Sequence, residues 1–77
     1  MDKRQLKPEE LILLYEGLAE RVPESVRPIQ HVARLSRHTI KQVLAIAWML
    51  DIPTHGEETE FTGQQAASII RKLFRLE

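Results

Sequence analysis

Seventy-seven residues, 43% hydrophobic and 29% charged, set the scale of one small globular domain. A chain of this length buries only about 60% of the surface its unfolded form exposes, so its stability is marginal unless it self-associates. The lack of cysteine excludes disulfides, thiol catalysis and cysteine-based zinc sites, and a formal net charge of zero argues against a generic polyanion binder.

Residues 1–7 are polar and are expected to be disordered. Lys3, Arg4 and Lys7 are followed by Pro8-Glu9-Glu10, and the next apolar run is only Leu11 to Tyr15, which is not the pattern of an export signal. The eight apolar residues from Val43 to Leu50 are too few to span a bilayer. A cytoplasmic protein without a membrane partner is expected.

Pro8 suits the first position of a helix, and Glu9 and Glu10 complement its positive end. A first helix is predicted over about 8–21, with Leu11, Leu14, Tyr15, Leu18 and Val22 on one face. Gly17 weakens it, and Pro23-Glu24-Ser25 ends it. A second helix is predicted over about 25–35, with Ser25 as N-cap and Pro28 in the first turn, where amides lack helical partners anyway. Val26, Ile29, Val32, Ala33 and Leu35 supply its apolar side.

A third helix is predicted over 36–50, with Ser36 as N-cap and Thr39 three residues on. Ile40, Val43, Leu44, Ala47 and Leu50 recur at helical spacing and define its buried side. The unbroken apolar run from Val43 to Leu50 calls for cover by other elements or by a partner. Ile46, Trp48 and Met49 lie away from the main stripe and form a candidate dimer interface; the alternative is burial of Trp48 beneath the last helix, through Ile69, Leu73 and Phe74. Nothing between Leu35 and Ser36 is a strong breaker. Ile29, Ala33, Ser36, Ile40, Val43, Ala47 and Leu50 continue one stripe at spacings of four and three. A single helix from about Val26 to Leu50, roughly 35 Å long at about 1.5 Å per residue, is therefore the rival to a break.

Pro53 biases Ile52 out of the helical region, so Asp51 to Gly56 ends the central helix. The acidic stretch Glu57 to Glu60 follows as a loop rather than a wing-like hairpin, given Pro53 and the charges. Thr62 with Gln65 matches a capping box for a last helix over about 62–76. It buries Ala66, Ile69, Ile70, Leu73 and Phe74, and Arg71, Lys72 and Arg75 point outward at its negative end. The predicted fold class is all-α: a compact single domain of three or four helices, helix-turn-helix-like, or a helical bundle around one long continuous central helix.

Charge is unevenly placed. Carboxylates occur at Asp2, Glu9, Glu10, Glu16, Glu20 and Glu24, then at Asp51, Glu57, Glu58, Glu60 and Glu77; from Ser25 to Leu50 there are none. That window holds Arg27, His31, Arg34, Arg37, His38 and Lys41. On one continuous helix, Arg27, His31, Arg34, His38 and Lys41 fall within about 80° of one another, opposite the apolar stripe. With a break near Ser36, Arg27 and Arg34 flank one helix and Arg37, His38, Lys41 and Gln42 crown the first two turns of the next. Either arrangement makes a basic ridge. Arginine offers a planar fork to guanine or phosphate, glutamine pairs with adenine, and a capped helix N-terminus attracts phosphate. A solvated face and an acidic protein partner are the competing readings.

The segment Leu35-Ser36-Arg37-His38-Thr39-Ile40-Lys41-Gln42-Val43-Leu44 resembles the opening of recognition helices in bacterial and phage helix-turn-helix regulators and in some transposases. The shared features are a small polar cap, Arg, Thr, an aliphatic, two polar residues and two aliphatics. The resemblance implies that Arg37, His38, Lys41 and Gln42 face the DNA groove, that Ser36 and Arg34 meet phosphate, and that Ile40, Val43 and Leu44 anchor the helix. One feature departs from the pattern: such motifs usually carry an alanine, about four residues, then a glycine or similar turn before the cap, whereas Ala33 stands three residues before Ser36 and no glycine appears.

Other chemistry is not supported. His31 and His38 have no carboxylate in their window to complete a metal site, and His55 beside Glu57 and Glu58 is ordinary loop polarity. Ser36-Arg37-His38 is no catalytic pairing, because adjacent helical residues do not face each other. Glu57, Glu58 and Glu60 lack calcium-loop spacing. No enzyme, metal, cofactor or small-molecule substrate is expected. The leading expectation is a small DNA-binding transcriptional regulator of the phage or mobile-element kind, reading duplex DNA through Arg27, Arg34, Ser36, Arg37, His38, Lys41 and Gln42. The alternatives are a protein-protein module (antirepressor, polymerase-binding or host-takeover factor) that sets the same ridge against an acidic partner, and a structural helical oligomer such as a homodimer.

Overall fold

The computed structural model describes residues 6–76. Among these it contains four helices and one small sheet, in the order α1 (Pro8–Arg21), β1 (Val26–Pro28), α2 (Ile29–Ser36), α3 (Ile40–Met49), β2 (Glu60–Thr62) and α4 (Gly63–Leu73). The domain is mainly helical and compact, but it is not all-α. Of the expected disorder over 1–7, residues 1–5 lie outside the described residues. Lys7 is the N-cap of α1, and its amide donates to the Glu10 carboxylate at 2.8 Å.

The two strands pair antiparallel, with Val26 opposite Thr62, Arg27 opposite Phe61 and Pro28 opposite Glu60. The pairing corrects the expected second helix: Val26 to Pro28 is extended, and the helix begins at Ile29, whose amide donates to the Thr59 carbonyl at 2.8 Å. Pro28 thus precedes the helix as its N-cap residue rather than sitting in its first turn. Ser25 caps nothing; its hydroxyl accepts a hydrogen bond from the Arg27 guanidinium at 3.0 Å. The acidic stretch is a loop up to Thr59, and Thr62 caps α4 through the expected box with Gln65.

A continuous central helix is excluded. Arg37 is in the left-handed region (φ 60°), and Thr39 is extended. The Arg37 amide donates to the Arg34 carbonyl at 3.2 Å and the His38 amide to the Ala33 carbonyl at 3.0 Å, the closing bonds of a left-handed helix end. Two further helices end in the same way. Asp51 (φ 59°) follows α3, with the Ile52 amide bonded to the Ala47 carbonyl at 2.9 Å. Arg75 (φ 55°) follows α4, with the Leu76 amide bonded to the Arg71 carbonyl at 2.9 Å. None of the three is glycine. The N-cap of α3 is Thr39, not Ser36: its hydroxyl accepts the Gln42 amide at 3.1 Å while the Gln42 side-chain oxygen accepts the Thr39 amide at 2.8 Å.

The core joins Leu11, Ile12 and Tyr15 of α1 to Ile29, Val32 and Ala33 of α2, Val43 and Ala47 of α3, Phe61 of β2, and Ala66, Ala67, Ile69 and Ile70 of α4. α1 packs most extensively on α4. The approach is close at Gly63, where a Cβ would overlap the Tyr15 carbonyl oxygen and stand 2.9 Å from the Ala19 amide nitrogen. The outer faces of α2 and α3 stay open, with Gln30 and Arg34 exposed on one and Lys41, Gln42, Ala45, Trp48 and Met49 on the other.

Candidate nucleic-acid interface

The α3 helix meets the core with Val43 and Ala47, and half-buries Ile40, Leu44, Ile46 and Leu50. The stripe read from sequence is therefore the packed one. The opposite face, Lys41, Gln42, Ala45, Trp48 and Met49, is exposed. Cover for the apolar run is consequently incomplete: Trp48 is 73% exposed and Met49 64%. Burial of Trp48 under α4 does not occur. Its indole N–H instead donates to the Thr54 hydroxyl at 3.1 Å, which draws the ring over the loop that follows α3. Of the candidate dimer residues, Trp48 and Met49 are open and Ile46 is half-buried against the core.

The basic ridge divides into two parts with different surroundings. Arg27 is half-buried between β1 and α1, donating to the Ser25 hydroxyl and, at 3.1 Å, to the Val26 carbonyl. It borders a small pocket with Leu14, Tyr15, Leu18, Arg21 and His31. There His31 Nδ1 and the Tyr15 hydroxyl share a hydrogen bond of 2.9 Å. Burial, and then the charges of Arg27 and Arg34, hold the His31 pKa below its usual value; burial pushes the Tyr15 hydroxyl up to about 12, against a smaller opposing pull from Arg27. Arg27 and His31 thus serve the junction of α1 with α2 and β1.

The second part is the turn. Arg34, Arg37 and Lys41 are exposed there. Two residues expected at the groove are otherwise engaged. Ser36 is 2% exposed and donates to the Ala33 carbonyl at 3.3 Å, so its hydroxyl is not presented to solvent. His38 is half-buried, with Nδ1 2.7 Å from the Ser36 carbonyl oxygen and its ring set edge-on to Phe74 at a centroid distance of 5.2 Å. Gln42 is exposed, but its side-chain oxygen belongs to the Thr39 cap.

The His38–Phe74 contact brings the cations at the end of α4 toward the turn. Arg71, Lys72 and Arg75 line a groove of about 510 Å³ together with Ile46 and Met49 of α3. Arg71 is held by an ion pair with Glu16. Lys72 and Arg75 therefore border the open face of α3 on the α4 side, while Arg34 and Arg37 are exposed at the turn that precedes it in the chain. Among the described residues, no carboxylate lies within ion-pair distance of Arg27, Arg34, Arg37, Lys41, Lys72 or Arg75. Gln30 donates to the Glu57 backbone carbonyl at 2.9 Å, which holds the acidic loop beside the start of α2. Asp51, just beyond α3, is the one carboxylate bordering Trp48 in the pocket they share with Ile52, Pro53 and Thr54.

Among the described residues no group of His, Asp or Glu side chains is arranged to hold a metal ion, and no helix is long and apolar enough to cross a membrane. Compared with protein-family models, with curated proteins and with solved structures, the chain matches none.

Proposed function

We propose that this domain binds duplex DNA with α2 and α3 acting as a helix-turn-helix, α3 lying in the major groove. One observation carries the reading: the exposed face of α3 opens with Lys41 and Gln42, follows a turn that carries Arg34 and Arg37, and shares a groove with Lys72 and Arg75 of α4, and among the described residues none of these cations pairs with a carboxylate. Arg37 adds weight. It ends α2 in the left-handed conformation that glycine would adopt without cost. An arginine kept in a conformation that disfavours it is the kind of local strain that accompanies function. The readers are accordingly Arg34, Arg37, Lys41 and Gln42, supplemented by Lys72 and Arg75. A phage or mobile-element regulator remains the biological setting that the sequence resemblance implies.

The test is a titration of labelled duplex DNA at two salt concentrations. Affinity should fall with salt with a slope of about 0.9 per phosphate contact, and Arg37→Ala and Lys41→Ala should each reduce that slope by about one. Binding that is absent at low salt would overturn the proposal.

A second reading, association with a protein, is favoured by the open Trp48 and Met49, which lie next to the cationic groove of Ile46, Arg71, Lys72 and Arg75. A homodimer through this face would appear as concentration-dependent sedimentation that Trp48→Ala abolishes.

A further inference from the structure

The exposed face of α3 is short of groups that can read base edges. Gln42 has its side-chain oxygen committed to the Thr39 amide, and the only polar atom of Trp48 is committed to Thr54. Ala45 and Met49 complete the face, and both are exposed. Beyond the Lys41 ammonium and the Gln42 amide hydrogens, this surface is apolar over its last two turns. Base edges in the major groove are polar with one exception, the C5-methyl of thymine. We infer that α3 recognises thymine methyl groups through Ala45, Met49 and the face of Trp48, so that the preferred ligand is duplex DNA carrying methylated pyrimidines opposite this part of the helix.

The inference rests on the DNA-binding reading and refines its specificity. The cations around the face supply affinity that is independent of sequence, because phosphate contacts carry no base information. Discrimination then falls to the apolar positions. A methyl group withdrawn from water against Ala45 or Met49 is worth about a four-fold change in affinity.

The experiment compares three pairs of labelled duplexes with the whole chain at one low salt concentration. An A·T-rich duplex is matched with the same duplex carrying uracil in place of thymine, which deletes only the methyls. A G·C-rich duplex is matched with its 5-methylcytosine form, which adds methyls at the equivalent groove position. A mixed-sequence duplex and its uracil form complete the set. Uracil should weaken binding about four-fold or more, 5-methylcytosine should strengthen it, and Ala45→Ser with Met49→Gln should bring both ratios to about one while binding to the uracil duplex persists. Equal affinity for thymine and uracil duplexes, both of them bound, overturns methyl recognition and leaves DNA binding intact. A uracil effect without a 5-methylcytosine effect also overturns it, since duplex shape then explains the preference. Failure to bind any duplex removes the DNA-binding reading itself.

Discussion

His38 and Phe74 meet edge to face, their ring planes at 90° and centroids 5.2 Å apart, and through this contact the turn after α2 is joined to the end of α4. Each ring neighbours an arginine in the left-handed conformation, Arg37 on one side and Arg75 on the other. Phe74→Ala should therefore act in two ways. Chemical unfolding should show a loss of roughly 1–3 kcal/mol, less than for a fully buried phenylalanine. The DNA titration should show weaker binding although no charge has been removed. Unchanged binding by this variant would separate the α4 cations from the interface.

Left-handed arginines allow stability and binding to be pulled apart. Replacing Arg37 or Arg75 by glycine relieves an unfavourable backbone conformation and should raise stability by up to about 1 kcal/mol in urea unfolding. The same changes remove cations from the α3 surround and should weaken DNA binding. Arg37→Ala keeps the strain and loses the charge, so it should gain no stability. A glycine variant that is more stable and binds as tightly as the parent would speak against a role for these guanidinium groups.

Two glycines are expected to respond oppositely to alanine. At Gly17, open on its helix surface with nothing within 4 Å of a new Cβ, alanine should stabilise by up to about 1 kcal/mol. At Gly63 the new methyl would collide with the backbone of α1 at Tyr15 and Ala19, and a rigid element cannot give way as a flexible side chain would. A loss of roughly 1–3 kcal/mol is expected there, measured by thermal or urea unfolding.

The Tyr15–His31 pair gives stability a dependence on pH at both ends. His31 resists protonation when folded, for the reason of burial first and of Arg27 and Arg34 second. An unfolded chain takes up that proton near pH 6.5, so the contribution of His31 is complete above this value and declines as the pH falls below it. At the alkaline end the unfolded tyrosine ionises near 10 while the folded hydroxyl holds its proton to about 12, so stability falls between those two values. Urea midpoints taken from pH 7 to 5.5 should drop for the parent and drop less for His31→Gln. A parallel decline in both would assign the acid sensitivity to other groups.

Much of this architecture is legible in local chemistry. Pro8 with Glu9 and Glu10 marks the start of α1, Thr62 with Gln65 marks the start of α4, and the spacing of Ile40, Val43, Leu44, Ala47 and Leu50 identifies the packed side of α3. The start of α3 was also available: Thr39 and Gln42 form the same Thr-x-x-Gln box as Thr62 and Gln65, whereas Ser36 has no such partner. The end of α2 was hidden because the usual glycine is an arginine, Arg37. Strands of three residues that pair across more than thirty positions carry no local signal, and Pro28 argues against one of them. Buried Phe61 was missed with its strand. Lys72 and Arg75 join the candidate interface only through tertiary packing, which no periodicity within α4 encodes.

The single tryptophan of the chain stands at the outer surface of α3, tethered by its indole N–H to Thr54, while Tyr15 is enclosed at 1% exposure. Intrinsic fluorescence is therefore a poor monitor of cooperative denaturation here, since the indole is already hydrated in the native state. Quenching or a spectral shift of that emission registers instead the arrival of whatever covers the last turns of α3, and near-ultraviolet signals from the enclosed phenol report the integrity of the interior. One unlabelled sample thus carries separate optical channels for occupancy and for folding.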